Sequence, residues 1–129
     1  MKIYLLVDKP TSGKTTVLKE LGYTFCPDEK GIFSIFCKLI HEGKKKIAID
    51  DYINEGRIES ILKKMEQKEK VFYYRKCKES GLILPKDYED IEIVLATRPI
   101  HLNKISLGLQ ARCQKVSVEE FKKIKKEEE

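Results

Sequence analysis

Ile3 to Val7 is an unbroken apolar run that stops at the polar stretch Asp8-Lys9-Pro10-Thr11-Ser12-Gly13. Such a run predicts a buried strand, and Gly13-Lys14-Thr15 leading into Val17-Leu18-Lys19-Glu20-Leu21 predicts a helix opening on a glycine. Tyr23 to Cys26 reads as a second strand, closed by a turn or cap at Pro27-Asp28. Ile32, Ile35, Phe36, Leu39 and Ile40 recur at helical spacing, with Gly43 placed to end that helix. Ile47-Ala48-Ile49 is a third strand and ends in Asp50-Asp51. Ile58, Ile61, Leu62, Met65 and Phe72 mark one face of a long, highly charged helix, which Gly81 and Pro85-Lys86-Asp87 bring to an end. Ile91 to Ala96 is a fourth strand, running into Thr97-Arg98-Pro99, and Val116 to Val118 a fifth. From Glu119 the chain reads as a charged helix or tail that frays into Lys123 to Glu129.

Strands alternating with helices predict βαβ units, hence an α/β fold in three layers, with helices on both faces of a five-stranded, mainly parallel sheet. Residues 1–118 form one domain, and 119–129 the charged C-terminal helix or tail. In such folds ligands sit at the carboxyl ends of the strands. Three of those ends carry polar residues here: Asp8 to Thr15, Asp50-Asp51 and Thr97-Arg98.

A length of 129 residues suits one domain with a real core. The net charge of +5 favours acidic partners such as nucleic acid only mildly, because the lysines are interspersed with glutamates. Cys26, Cys37, Cys77 and Cys113 lie far apart, no CxxC pair occurs, and His41 and His101 complete no metal set. Buried thiols in a reducing compartment are expected. No stretch is apolar enough to span a membrane and no signal-peptide layout is seen, so the expected location is the cytoplasm, that of a host cell if the protein is viral.

The segment Asp8 to Thr15 has the layout of the phosphate-binding loop GxxxxGK[ST], with Asp8 in place of the first glycine. A helix N-terminus attracts phosphate oxygens, and Gly13 lets the backbone approach them. Lys14 would neutralise phosphate charge and Thr15 would offer its hydroxyl to Mg²⁺. Lys9, Pro10, Thr11, Ser12 and Thr16 complete the nucleotide-binding stretch. A carboxylate at position 8 opposes phosphate unless it points away or pairs with Lys9. The alternative is a lysine-bearing turn that merely precedes a helix.

An apolar strand followed by an acid is the Walker B pattern. Asp50 would hold Mg²⁺ through water, opposite Thr15, and Asp51 would polarise an attacking water as general base. Asp51 or Asn54 could instead cap the next helix. At the third strand end Thr97 or Arg98 would sense the γ-phosphate, with Arg98 the better stabiliser of a transferring phosphoryl group; otherwise Arg98 caps a surface turn before Pro99.

Together these residues resemble the additional-strand, catalytic-acid class of P-loop NTPases. The resemblance covers about residues 1 to 118 and implies strand order 5-1-4-3-2, with the sensor strand between the P-loop and Walker B strands. Val94-Leu95-Ala96-Thr97-Arg98-Pro99, followed by Leu102-Asn103-Lys104-Ile105, is similar to the "ATQRP" segment of the FtsK/HerA type, less one residue. That type comprises DNA translocases, viral packaging motors and related ATPases. Leu109-Gln110-Ala111-Arg112-Cys113-Gln114 resembles the arginine-finger segment of AAA+ clamp-loader ATPases. These likenesses imply ATP as substrate, Mg²⁺ as cofactor, a homo-oligomer or larger motor assembly, DNA or RNA as partner, and Arg112 as a finger acting in a neighbouring subunit. A surface arginine on a late strand is the plainer reading of Arg112. Family motors are usually larger, so this chain is near the minimal core.

Three functions remain open on the sequence. The first is a Mg²⁺-dependent ATPase on nucleic acid, with Lys44 to Lys46, Lys63, Lys64 and the tail contacting phosphates. The second is a small-molecule kinase, in which Phe25 to Lys30 and the long helix would build the acceptor site. The third is a nucleotide-binding module with little turnover, favoured by Asp8 in place of glycine and by Asp51 in place of glutamate.

Overall fold

The computed structural model describes residues 1–26, 32–53, 56–67, 72–74, 81–83 and 90–128. In chain order the elements are β1 (Lys2–Val7), α1 (Lys14–Glu20), β2 (Thr24–Cys26), α2 (Ile32–His41), β3 (Lys46–Ile49), α3 (Gly56–Glu66), β4 (Phe72–Tyr74), β5 (Gly81–Ile83), β6 (Glu92–Thr97), a 3₁₀ turn (Pro99–Lys104), α4 (Leu107–Arg112), β7 (Gln114–Val116) and α5 (Val118–Glu128). Five strands form one sheet in the order β2-β3-β6-β1-β7. Every neighbouring pair in it is parallel, and β1 and β6 run in register from Lys2 opposite Glu92 to Val7 opposite Thr97. All strands therefore end at the same rim, where the polar segments after β1, β3 and β6 meet.

The sheet is covered on both faces because its strands are apolar on both. Side chains alternate along a strand, so Ile3, Leu5, Ile47, Ile49, Ile93 and Leu95 point one way. They pack on Phe36 and Ile40 of α2, Ile58, Ile61, Leu62 and Met65 of α3, and Leu109 of α4. Tyr4, Leu6, Ala48, Val94 and Ala96 point the other way, onto Val17 and Leu18 of α1 and Val118 and Phe121 of α5. The ring of Phe121 meets Tyr4 edge-on at a centroid distance of 5.2 Å; burying one such side chain is worth about 2–3 kcal/mol.

Several expected boundaries move. The helix through Ile58 stops at Glu66 and does not reach Phe72, which opens β4. Strand β4 pairs antiparallel with β5 in a separate two-stranded sheet, with Phe72 opposite Ile83 and Tyr74 opposite Gly81. The run Phe72-Tyr73-Tyr74 has the aromatic character of a strand, and Gly81 begins a strand where a helix stop was expected. The fifth strand of the main sheet is Gln114–Val116, and Val118 belongs to α5. The reason is a capping box, itself readable as Ser117-Val118-Glu119-Glu120. Ser117 Oγ accepts from the Glu120 N–H at 3.1 Å, and Glu120 Oε1 accepts from the Ser117 N–H at 3.1 Å. Leu107–Arg112 is helical, so Arg112 lies on a helix and not on a late strand. The expected turns at Pro27-Asp28 and Pro85-Lys86-Asp87, the Asn54 cap, Cys77 and most of the Phe25 to Lys30 acceptor segment fall outside the described residues. Among the described residues no helix is long and apolar enough to cross a membrane.

Helix α5 continues to Glu128 instead of fraying from Lys123. Its anchor is Lys125, which is 7 % exposed and ion-paired with both Glu92 and Glu128. Glu92 also accepts from the Tyr23 hydroxyl at 2.7 Å, and Lys125 Nζ lies 5.3 Å from the centre of the Tyr4 ring. Removing one member of a buried pair strands the other's charge. We expect Lys125→Met to lower unfolding stability in urea by about 3 kcal/mol, with much of the loss recovered when Glu92→Gln is added.

Candidate nucleotide site

The loop between β1 and α1 is built around the carbonyl of Lys9. That oxygen accepts from the Ser12 N–H at 3.1 Å, from Ser12 Oγ at 2.7 Å and from Lys14 Nζ at 2.7 Å. Lys9-Pro10-Thr11-Ser12 is thus a tight turn, with proline at the second position where its fixed φ is favoured. Gly13 follows at φ 88°, ψ 25°, a conformation glycine adopts without penalty. A Cβ there would meet nothing within 4 Å, so the demand is on the backbone and not on space.

Lys14 is 6 % exposed and curls back over the loop. Besides the Lys9 carbonyl it donates to the Asp8 carbonyl at 2.8 Å. Burial lowers its pKa below the usual lysine value, and the nearby carboxylates of Asp8, Asp50 and Asp51 oppose that shift. An ammonium has three donors, so the two loop carbonyls leave one for an anion.

Across the sheet Thr15 Oγ1 donates to Asp50 Oδ2 at 2.6 Å. Asp50 Oδ1 takes the Asp51 N–H at 3.1 Å, which fixes the carboxylate plane. The chain then turns back at Asp51, at φ 50°, and the Tyr52 N–H donates to the Ala96 carbonyl at 2.8 Å, tying this turn to the end of β6. Asp51 Oδ1 lies 3.9 Å from Arg98 Nε. Lys14, Thr15, Asp50, Asp51 and Arg98, with Pro10, Thr11, Gly13 and Thr16 of the loop, line one cavity of about 350 Å³ at the carboxyl rim.

The remaining expected residues are elsewhere. Thr97 is fully buried, and its Oγ1 has no hydrogen-bond partner among the described residues. It shares strand parity with Ile93 and Leu95, so its side chain faces the α3 layer and does not line the cavity. Arg112 pairs with Glu66 of α3 at 3.0 Å and donates to the Gly108 carbonyl at 2.9 Å. It too is outside the cavity. Cys26, Cys37 and Cys113 form no disulfide; burial pushes the Cys37 and Cys113 thiols up to about 12, which keeps them unreactive.

Asp8 points away from the cavity. Its Oδ2 accepts the Val118 N–H at 2.9 Å, at the first turn of α5, and Oδ1 accepts the Lys9 N–H at 2.8 Å. These two bonds hold its carboxyl below the usual aspartate pKa. The Val118 N–H is the group that sequence reasoning missed, because its partner is 110 residues away.

Among the described residues no cluster of three or more His, Cys, Asp or Glu side chains gathers as a metal cage. The pair that does face the cavity, a hydroxyl and one carboxylate, suits Mg²⁺, which takes few protein ligands and fills its shell with water and phosphate oxygens. No protein-family model matches this sequence, and no curated protein matches it at a significant level.

Since the folded-state pKa of Asp8 is depressed, its contribution to stability is present above the ordinary carboxylate value near ~3.9 and is lost as pH falls through the lower folded value. Asp8→Asn keeps an acceptor for Val118 and removes the charge. We expect it to cost about 0.5–1 kcal/mol at pH 7, the gap to wild type closing in denaturation curves taken from pH 5 down to pH 2.

Proposed function

We propose that the chain binds a nucleoside triphosphate with Mg²⁺ and hydrolyses it, as a minimal P-loop NTPase of the additional-strand, catalytic-acid class. The observation that carries this reading is the 2.6 Å bond from the Thr15 hydroxyl to the Asp50 carboxylate, beside a lysine held on its own loop. The two residues come from different βα units, 35 positions apart, and they meet at the mouth of a cavity that also holds two cations. A lysine-bearing turn before a helix has no need of that partner. The strand order supports the class: read from the β7 edge it is β7-β1-β6-β3-β2, with β6 between the loop strand and the acid strand. In nucleotide-type kinases the acid strand is expected beside the loop strand, so the order weighs against phosphate transfer to a small molecule.

In this reading Lys14 holds the β- and γ-phosphates, using the donor left over from the loop carbonyls. Thr15 and Asp50 are the residues that would hold Mg²⁺, which would neutralise phosphate charge there. Arg98 reaches the cavity from the end of β6 and supplies positive charge where negative charge grows in the transition state. Asp51 orients and deprotonates water. Its ion pair with Arg98 favours a second reading, a binding module with slow turnover, because the pair engages the base before any substrate arrives. A nucleic-acid partner rests on the exposed Lys44, Lys45 and Lys46. They lie at the start of β3, at the opposite end of the strands from the cavity, and Lys45 is paired with Asp90.

Titration calorimetry with Mg·ATP and phosphate release, each with and without single- and double-stranded DNA, test the reading. Lys14→Ala removes a charge-assisted contact and is expected to weaken binding about 10- to 100-fold. Asp50→Asn should abolish the Mg²⁺ dependence of binding, and Asp51→Asn should slow turnover while leaving affinity within about threefold. Hydrolysis indifferent to Lys14→Ala excludes the mechanism, and transfer of phosphate to a nucleoside in place of water selects the kinase.

A further inference from the structure

Asp8 does two things with two ends of one residue. Its carbonyl receives Lys14 Nζ at 2.8 Å, inside the loop, and its carboxylate receives the Val118 N–H at 2.9 Å, at the start of α5. The same side chain is an anion within electrostatic range of Lys14. It stays out of the cavity because α5, together with the Lys9 N–H, satisfies both of its oxygens.

We propose that Asp8 is a built-in competitor for the phosphate site, restrained by the docking of α5. This rests on the nucleotide reading above and adds a regulatory input to it. When α5 is seated, Val118 holds the carboxylate on the outer side of the loop and the Lys14 ammonium is open to phosphate. When α5 lifts, the carboxylate loses that partner, and the cation that acts on it most strongly is Lys14 itself. An aspartate turned inward offers Lys14 the same oxyanion chemistry as a phosphate and adds a like charge at the mouth of the site. Docking of α5 and binding of nucleotide therefore reinforce each other, by the same factor in both directions.

The fold gives α5 the means to act as such a latch. Its N-terminus is held by Asp8 and by the Ser117–Glu120 capping box, its middle by Phe121 against Tyr4, and its far end by Lys125 on Glu92. Whatever loosens any of these contacts lowers affinity at a loop that α5 meets through the Val118–Asp8 bond.

Val118→Pro is the direct test. Position 118 is the first residue of the helix, where proline is well tolerated, and the change deletes the α5 N–H that Asp8 uses while leaving the Lys9 N–H in place. In calorimetry with Mg·ATP, Val118→Pro is expected to weaken binding about fivefold or more. Asp8→Gly alone should bind at least as tightly as wild type, and Asp8→Gly should restore wild-type affinity in the Val118→Pro background. A measurement on the unaltered chain accompanies it: hydrogen exchange with and without Mg·ATP, in which α5 amides should slow by a larger factor than those of α2. Binding by wild type that Val118→Pro leaves unchanged, or a Val118→Pro loss that Asp8→Gly does not repair, overturns the competitor while the nucleotide site stands. Equal slowing in α5 and α2 also counts against it. Absence of Mg·ATP binding in both wild type and Asp8→Gly overturns the nucleotide reading, and the competitor with it.

Discussion

The bond from Thr15 to Asp50 has to cross a strand. Thr15 sits in the first turn of α1, which follows β1, and Asp50 directly follows β3, while β6 lies between those strands. Two interstrand spacings amount to about 10 Å, so α1 must lean across β6 for the side chains to touch. The residues under it allow this. Ala96 of β6 and Ala48 of β3 face the α1 layer, and both are fully buried. Small side chains there leave room for the α1 layer over these two strands.

A second constraint acts on the same loop from outside. Where a glycine would leave the start of the loop without a side chain, Asp8 ties it to α5. Geometry keeps that carboxylate out of the cavity. The carboxylate caps a helix, where its charge faces N–H groups and a favourable dipole. The cost is dependence, since the loop now relies on an element more than a hundred residues away in the chain.

The opposite end of the sheet shows how that element is kept in place. Lys125, Glu92, Tyr23 and Glu128 form a partly buried polar cluster at the start of β1 and β6. Every member has a partner, which is the condition under which such clusters add definition to a fold instead of weakening it. One strand, β6, thus carries the anchor of α5 on its first residue and leads to Arg98 just beyond its last.

The sequence by itself determined the layers of this molecule and the local chemistry at three strand ends. Apolar runs, helical spacing and glycine positions are local signals, and they located four strands of the main sheet, α2, the loop Asp8–Gly13, and Asp50-Asp51 as the end of β3, while the fifth strand was met only at Val116. Even the boundary missed at Val118 was written locally, as a capping box. Tertiary structure decided which of those ends face one another. Asp50 and Arg98 reach the cavity, while the hydroxyl of Thr97 turns to the other face through strand parity. Arg112 closes on Glu66, and Asp8 turns to Val118. Strand order, side-chain parity at a strand's last residue and the choice of an ion-pair partner depend on contacts between distant segments. They are set by which packing buries the most apolar surface while leaving few polar groups unpaired, and no window of neighbouring residues contains that information.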